Sequence, residues 1–164
     1  MKEYQTLILS YLQKIKSANK ELTKKEIFKD LLHHLYGNDK DIEKIIDKIS
    51  AGAETSIINI PRKDKLHRGS ADTLYNRIII EFENSLKVSE AHAKEQLAGY
   101  LLGQFKSGEG YHFTLIASDF IEWKVYSPDV SCLENLDNLN EDELILNEIK
   151  SSSFSLRENN AEEF

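Results

Sequence analysis

The chain has 164 residues, about one domain's worth, and its 40% hydrophobic and 30% charged content is that of a globular rather than a disordered protein. No apolar run approaches the roughly 18 residues that span a bilayer, no signal-peptide pattern opens the sequence, and the lone Cys132 excludes an internal disulfide and a multi-cysteine zinc site, so a cytoplasmic protein is expected. The net charge of −7 divides as +4 over residues 1–70, −4 over 71–130 and −7 over 131–164; the whole excess equals the charge of the last stretch and argues only weakly against a nucleic-acid partner.

Residues 3–17 predict a helix, with Leu7, Ile8, Tyr11, Leu12 and Ile15 at helical spacing. A second helix is expected after Leu22. Thr23 and Glu26 make a capping-box pattern, Ile27, Leu31, Leu32 and Leu35 form the apolar stripe, and Gly37 stops it. The lysines between positions 20 and 29 read as its solvated face. Residues 39–50 predict a third, short helix with Ile42, Ile45, Ile46 and Ile49 inward. After Gly52 the period changes. Residues 54–60 are rich in β-formers, and Pro61 ends or edges that strand. Residues 62–70 read as a basic loop. A hairpin is expected next: a short strand near 70–74, a turn near Tyr75-Asn76 and a strong strand over 77–83. A helix from Ser89 to about Phe105 places Ala93, Leu97, Tyr100 and Leu101 on one face, and residues 112–118 and 120–127 predict two more strands. The order αα(α)–β–ββ–α–ββ belongs to the α/β class. Beyond Ser131 the apolar residues scatter among acids and asparagines. Residues 131–164 are therefore expected to be an acidic linker or the start of a following domain, and the chain to be the N-terminal piece of a longer polypeptide.

The chemistry concentrates in residues 71–83. Alternate strand residues share a face, so Ile78, Ile80 and Phe82 are expected in the core and Arg77, Ile79, Glu81 and Glu83 on the other side. Two carboxylates at i and i+2 repel each other unless a cation sits between them. With the turn at Tyr75-Asn76, Asp72 falls opposite Ile79 and on the face of Glu81, a diagonal separation of about 7–8 Å that lets both carboxylates reach one ion. Oxygen donors without His or Cys suit Mg²⁺ or Mn²⁺ rather than Zn²⁺. On the next helix Gln96 and Tyr100, at i and i+4, are neighbours. The plain alternative makes Glu81 and Glu83 the solvated face of an edge strand and Asp72 a turn residue.

The basic segment, Asp72, the Glu81-Phe82-Glu83 triplet and Gln96-x-x-x-Tyr100 together resemble the PD-(D/E)xK nuclease superfamily over about residues 21–127. The resemblance implies a restriction-endonuclease-like αβββαβ core within residues 21–130, a mixed central sheet flanked by helices, with an extra N-terminal helix in residues 1–20. It implies Asp72 and Glu81 as ligands of Mg (or Mn), the backbone carbonyl of Phe82 as a third, and Gln96 and Tyr100 beside the site as the extra motif of the RecB-like branch. The stretch from Arg68 to Glu83 also looks like the nuclease domain ahead of an N6-adenine methyltransferase in bacterial restriction–modification polypeptides. That implies a covalently following methyltransferase or helicase domain, with homodimerisation left open. Where the family usually has lysine this chain has Glu83; Lys87 and Arg77 are the candidate substitutes. The first-helix acid falls on Glu26, with Glu21 as the alternative, unless Glu26 only completes the capping box. The implied activity is metal-assisted hydrolysis of DNA phosphodiesters. Glu83 or Lys87 would orient or deprotonate the water, and Lys63, Lys65, His67 and Arg68 would contact phosphates. The rival reading is a nuclease fold that has lost cleavage and serves DNA binding or assembly with a methyltransferase or helicase partner.

Overall fold

Strand β4 (Ile78–Phe82) is the axis of the molecule, a computed structural model that describes residues 2–49, 54–63 and 65–164. Ser50 at the expected end of the third helix, the change of period after Gly52, and Asp64 lie outside the described residues, as does the Ile49 side chain. β4 pairs antiparallel with β3 (Thr73–Tyr75) on one side and parallel with β5 (Thr114–Ser118) on the other. Beyond β5, β6 (Glu122–Pro128) runs antiparallel, and β7 (Leu146–Glu148) and β8 (Phe154–Ser155) both pair with β6. The parallel β4–β5 step requires a crossover, supplied by helix α4 (Leu86–Gln104).

Both faces of this mixed sheet are covered, so β4 opens with the apolar run Ile78–Ile80 rather than an alternation, and Glu81 is the charged residue within it. On one face Ile80, Phe82 and Ile116 meet α1 (Lys2–Ser17) and α2 (Glu21–Tyr36) through Ile8, Tyr11, Leu12, Phe28 and Leu31. On the other, Ile79, Leu115 and Ala117 meet Ala93, Leu97 and Leu101 of α4. The expectation that Ile79 turns away from the core with Glu81 is therefore corrected: Ile79 is fully buried, and Ile78, expected inside, is 37% exposed at the strand's start.

Three further expectations change. The basic loop is strand β2 (Lys65–Ala71), which pairs with β1 (Thr55–Arg62) as a two-stranded ribbon separate from the main sheet. Pro61 lies near the end of β1, an edge strand as expected, opposite Leu66. Helix α3 (Lys40–Ile49) buries only Ile46 of the isoleucines whose side chains are described; Ile42 and Ile45 are exposed, because α3 packs chiefly on α2 and β3. The stretch after Ser131 is folded onto the domain. It adds β7 and β8 to the sheet and puts Leu136, Leu144 and Leu146 into the α4-side core and Leu156 and Ala161 into the α2-side core.

Glycines in α4 set the position of the β1–β2 ribbon. A Cβ on Gly103 would lie 2.7 Å from the Ile58 carbonyl oxygen, and one on Gly99 3.1 Å from both Ile60 and the Glu141 carboxylate. The strand backbone thus rests directly on the helix. Glu141, itself buried, pairs with Arg62, and its amide donates to the Pro61 carbonyl oxygen at 3.0 Å, fastening the ribbon from the C-terminal side. Among the described residues no helix is long and apolar enough to cross a membrane.

Candidate functional site

Asp72 sits at the bend between β2 and β3. The hairpin register pairs Thr73 with Ile80 and Leu74 with Ile79, and closes at Tyr75 opposite Ile78. The turn is thus Asn76-Arg77, with Asn76 left-handed at φ 53°, a conformation asparagine tolerates. The partner of Ile79 is Leu74, not Asp72 as the expected turn required. One step further along, Asp72 comes level with Glu81. The correction brings the two carboxylates closer than a diagonal pair.

The two residues are locked to each other. The Phe82 amide donates to Asp72 Oδ2 at 2.9 Å, and the Asp72 amide donates to the Glu81 carboxylate. Both side chains are nearly out of solvent, at 8% and 6% exposure. Glu81 Oε2 is buried and has no hydrogen-bond partner among the described residues. Burial, and then the charge of Asp72, push the Glu81 carboxyl up to about 8, so it holds a proton at neutral pH.

The remaining groups arrive from two helices. Lys25 of α2 reaches Asp72 Oδ1 at 2.5 Å and Glu21 at 2.8 Å, and its side chain is only 13% exposed. Burial pulls the Lys25 ammonium pKa down, and its bonds to Asp72 and Glu21 outweigh this, for a net rise. The start of α2 is fixed here because Lys24 donates to the Asn84 carbonyl oxygen at 2.6 Å and the Asn84 amide donates to that of Asn19 at 3.3 Å. On α4, Ser89, His92, Gln96 and Tyr100 follow one stripe. Glu83 accepts from the Ser89 hydroxyl near His92, yet burial keeps its carboxyl above the usual range. The Tyr100 hydroxyl donates to the Ser70 carbonyl oxygen at 2.8 Å and accepts from Gln96 at 3.4 Å. Burial and the Glu81 charge raise its pKa. A cleft of about 310 Å³ opens here, lined by His67, Arg68 and Ser70 from β2, His92, Gln96 and Tyr100 from α4, and the Arg62–Glu141 pair.

Of the expected residues, the structure brings Asp72, Glu81 and Glu83 together near Tyr100, and sets His67, Arg68 and Gln96 round a cleft that Tyr100 also lines but the three acids do not. Phe82 enters through its backbone; its ring turns to the opposite face and stacks on Phe120 at 4.6 Å. Lys63 and Lys65 are exposed at the ribbon's tip, outside the cleft lining. Lys87 is corrected: it is exposed and lies with Ala91 and Lys94 on the far side of α4 from Gln96, because an offset of nine residues turns a helix half-way round. Arg77 is corrected too, since it lies in the turn and donates to the Glu109 carbonyl oxygen. Glu26 is exposed. Its capping box is not formed, since α2 begins at Glu21 behind Lys20 with no side-chain cap, and Glu21 is the acid that joins the cluster. Lys25 itself was hidden by its expected place on a solvated face. Its signal is helical spacing: three residues before the buried Phe28, it shares that residue's inward side.

Among the described residues no three His, Cys, Asp or Glu side chains form a metal-holding group. The donors that do converge are two carboxylates and backbone. That set suits Mg²⁺, which keeps several waters and takes one or two protein carboxylates alongside substrate phosphate. The orphaned Glu81 oxygen is the specific point of fit, since a cation can satisfy it in place of the proton that Glu81 otherwise keeps beside Asp72. Comparison of the chain with protein-family models, with curated proteins and with solved structures gives no match.

Proposed function

We propose that this chain is a Mg²⁺- or Mn²⁺-dependent deoxyribonuclease domain with a restriction-endonuclease-like core, acting within a bacterial restriction–modification protein alongside a methyltransferase or helicase domain. One observation carries the reading: two interlocked, buried carboxylates, Asp72 and Glu81, one with an unsatisfied oxygen, beside a cleft edged by His67, Arg68, Gln96 and Tyr100. The element order supports it. Helix α2, then after the extra helix α3 the separate β1–β2 ribbon continuing into β3, followed by β4, α4 and a β5 parallel to β4, can be read as an αβββαβ unit with one inserted helix.

When bound, a divalent ion supplies a water of lowered pKa and counter-charge for the phosphate. Asp72 and Glu81 would hold it, with the Phe82 carbonyl as the backbone ligand. Glu83, its carboxyl held above the usual range by burial, would orient that water or accept its proton. His67 and Arg68 would position the strand through its phosphates. Supercoiled plasmid is the test. Mg²⁺-dependent nicking is expected from the wild type and none from Asp72→Ala or Glu81→Ala, with circular dichroism showing the fold retained. Equal cutting by mutant and wild type overturns the assignment.

The second reading, a non-cleaving DNA-binding or assembly module, is favoured by one feature: Glu83 stands in the triplet where a lysine is usual. It predicts a gel shift with DNA and no nicking under any divalent ion.

A further inference from the structure

Asp72 meets a cation already. Its Oδ2 is taken by the Phe82 amide, and its Oδ1 by the Lys25 ammonium at 2.5 Å. An incoming ion that binds this carboxylate must share or take the oxygen that Lys25 holds. Lys25 holds a second carboxylate at the same time, Glu21, one helical turn before it at 2.8 Å and 38% exposed. Glu21 offers a place for the ammonium without forcing a buried charge to stand alone.

We propose that Lys25 is a built-in competitor of the divalent ion: a positioning residue that bridges Asp72 and Glu21 in the cation-free site and withdraws onto Glu21 alone when a metal binds. The proposal rests on the reading of Asp72 and Glu81 as a divalent-ion site and adds what governs entry to it. Geometry supports the exchange. Glu21 and Lys25 belong to one helix, so the transfer needs only side-chain rotation. Lys24 and Asn84 hold that helix against the β4–α4 connection while Lys25 moves. The device keeps the carboxylate pair neutralised when the metal is absent, and it sets metal affinity below what two bare carboxylates would give.

The test is Mn²⁺ titration calorimetry at fixed pH and salt on the full chain, comparing wild type, Lys25→Met, Glu21→Gln and the double variant. Losing a charge-assisted competitor should tighten Mn²⁺ binding by about tenfold or more in Lys25→Met. Removing the partner that would hold Lys25 alone, and so leaving Lys25 to Asp72, should weaken it by about two- to fivefold in Glu21→Gln. In the Lys25→Met background Glu21→Gln should have no effect, whereas a plain loss of charge would persist there. A merely structural Lys25 predicts weaker binding on its removal. Unchanged or weaker binding by a folded Lys25→Met, with wild type binding Mn²⁺, overturns this proposal and leaves the metal site standing. Absence of binding in both wild type and Lys25→Met overturns the metal site as well. Should Lys25→Met fail to fold, Glu21→Gln decides, unchanged affinity counting against the exchange.

Discussion

The backbone amide of Phe82 is bonded to Asp72 Oδ2 at 2.9 Å, while the amide of Asp72 serves the carboxylate of Glu81, the residue just before Phe82. The two acids are therefore held by the hairpin's own main chain. Their spacing is a property of register, and side-chain changes elsewhere leave it in place.

The first expected outcome concerns pH. Glu81 has an ordinary value of 4.5 and is pushed up to about 8 in the folded state by burial and by Asp72. Between these values the folded protein keeps a proton that the unfolded chain releases, so stability falls as pH rises from about 5 to 8. The shift corresponds to roughly 3–5 kcal/mol. Glu81→Gln should flatten the dependence. Urea midpoints at pH 5 and pH 9 check it, and an equal slope in the variant would remove Glu81 as the source. By the same proton, cation affinity should rise with pH across this window.

Gly103→Ala should destabilise the fold although alanine favours helix. Its Cβ would fall 2.7 Å from the Ile58 carbonyl oxygen, which is backbone and cannot rotate away. Overpacking costs about 1–3 kcal/mol against a helix gain of at most about 1. A fall in Tm of a few degrees is expected, and a rise would show that the ribbon does not rest on this face.

Tyr100→Phe removes the hydroxyl that ties α4 to the Ser70 carbonyl oxygen. The expected loss is about 0.5–1.5 kcal/mol by chemical denaturation. Faster hydrogen exchange should appear along β2 rather than β4; uniform exchange would contradict a local tie.

Arg68→Ala and Lys63→Ala separate the cleft from the ribbon tip. If both contact phosphates, each should lower the slope of log affinity against log salt by about one, without changing sequence preference. Fluorescence anisotropy with short duplexes reads this directly. A variant with an unaltered slope would show that its residue makes no phosphate contact.

Much of this was legible because β-hairpin and helix periods are short-range signals. The helices, the hairpin of residues 73–82 and the Gln96–Tyr100 pair follow from spacing alone. The turn was displaced by one residue, since Tyr75-Asn76 and Asn76-Arg77 both satisfy the asparagine preference, and that slip misplaced the partner of Asp72. Ribbon β2 looked like a loop because its residues are mostly exposed and charged, and only pairing with β1 makes it a strand. Lys25 escaped notice because its partner lies 47 residues away in the chain. The acid-rich stretch after Ser131 concealed Leu144 and Leu146, whose burial depends on a sheet built elsewhere.

Among the described residues β1 and β2 pair only with each other, and what fastens the ribbon is the glycine face of α4, one tyrosine hydroxyl and the Arg62–Glu141 pair. Extra residues inserted beyond Arg62 would shift no ladder partner in the main sheet. Lengthening a flexible loop costs only about 0.6 kcal/mol per doubling. The reach of this arm can thus drift by insertion and deletion while the acids behind it keep their spacing.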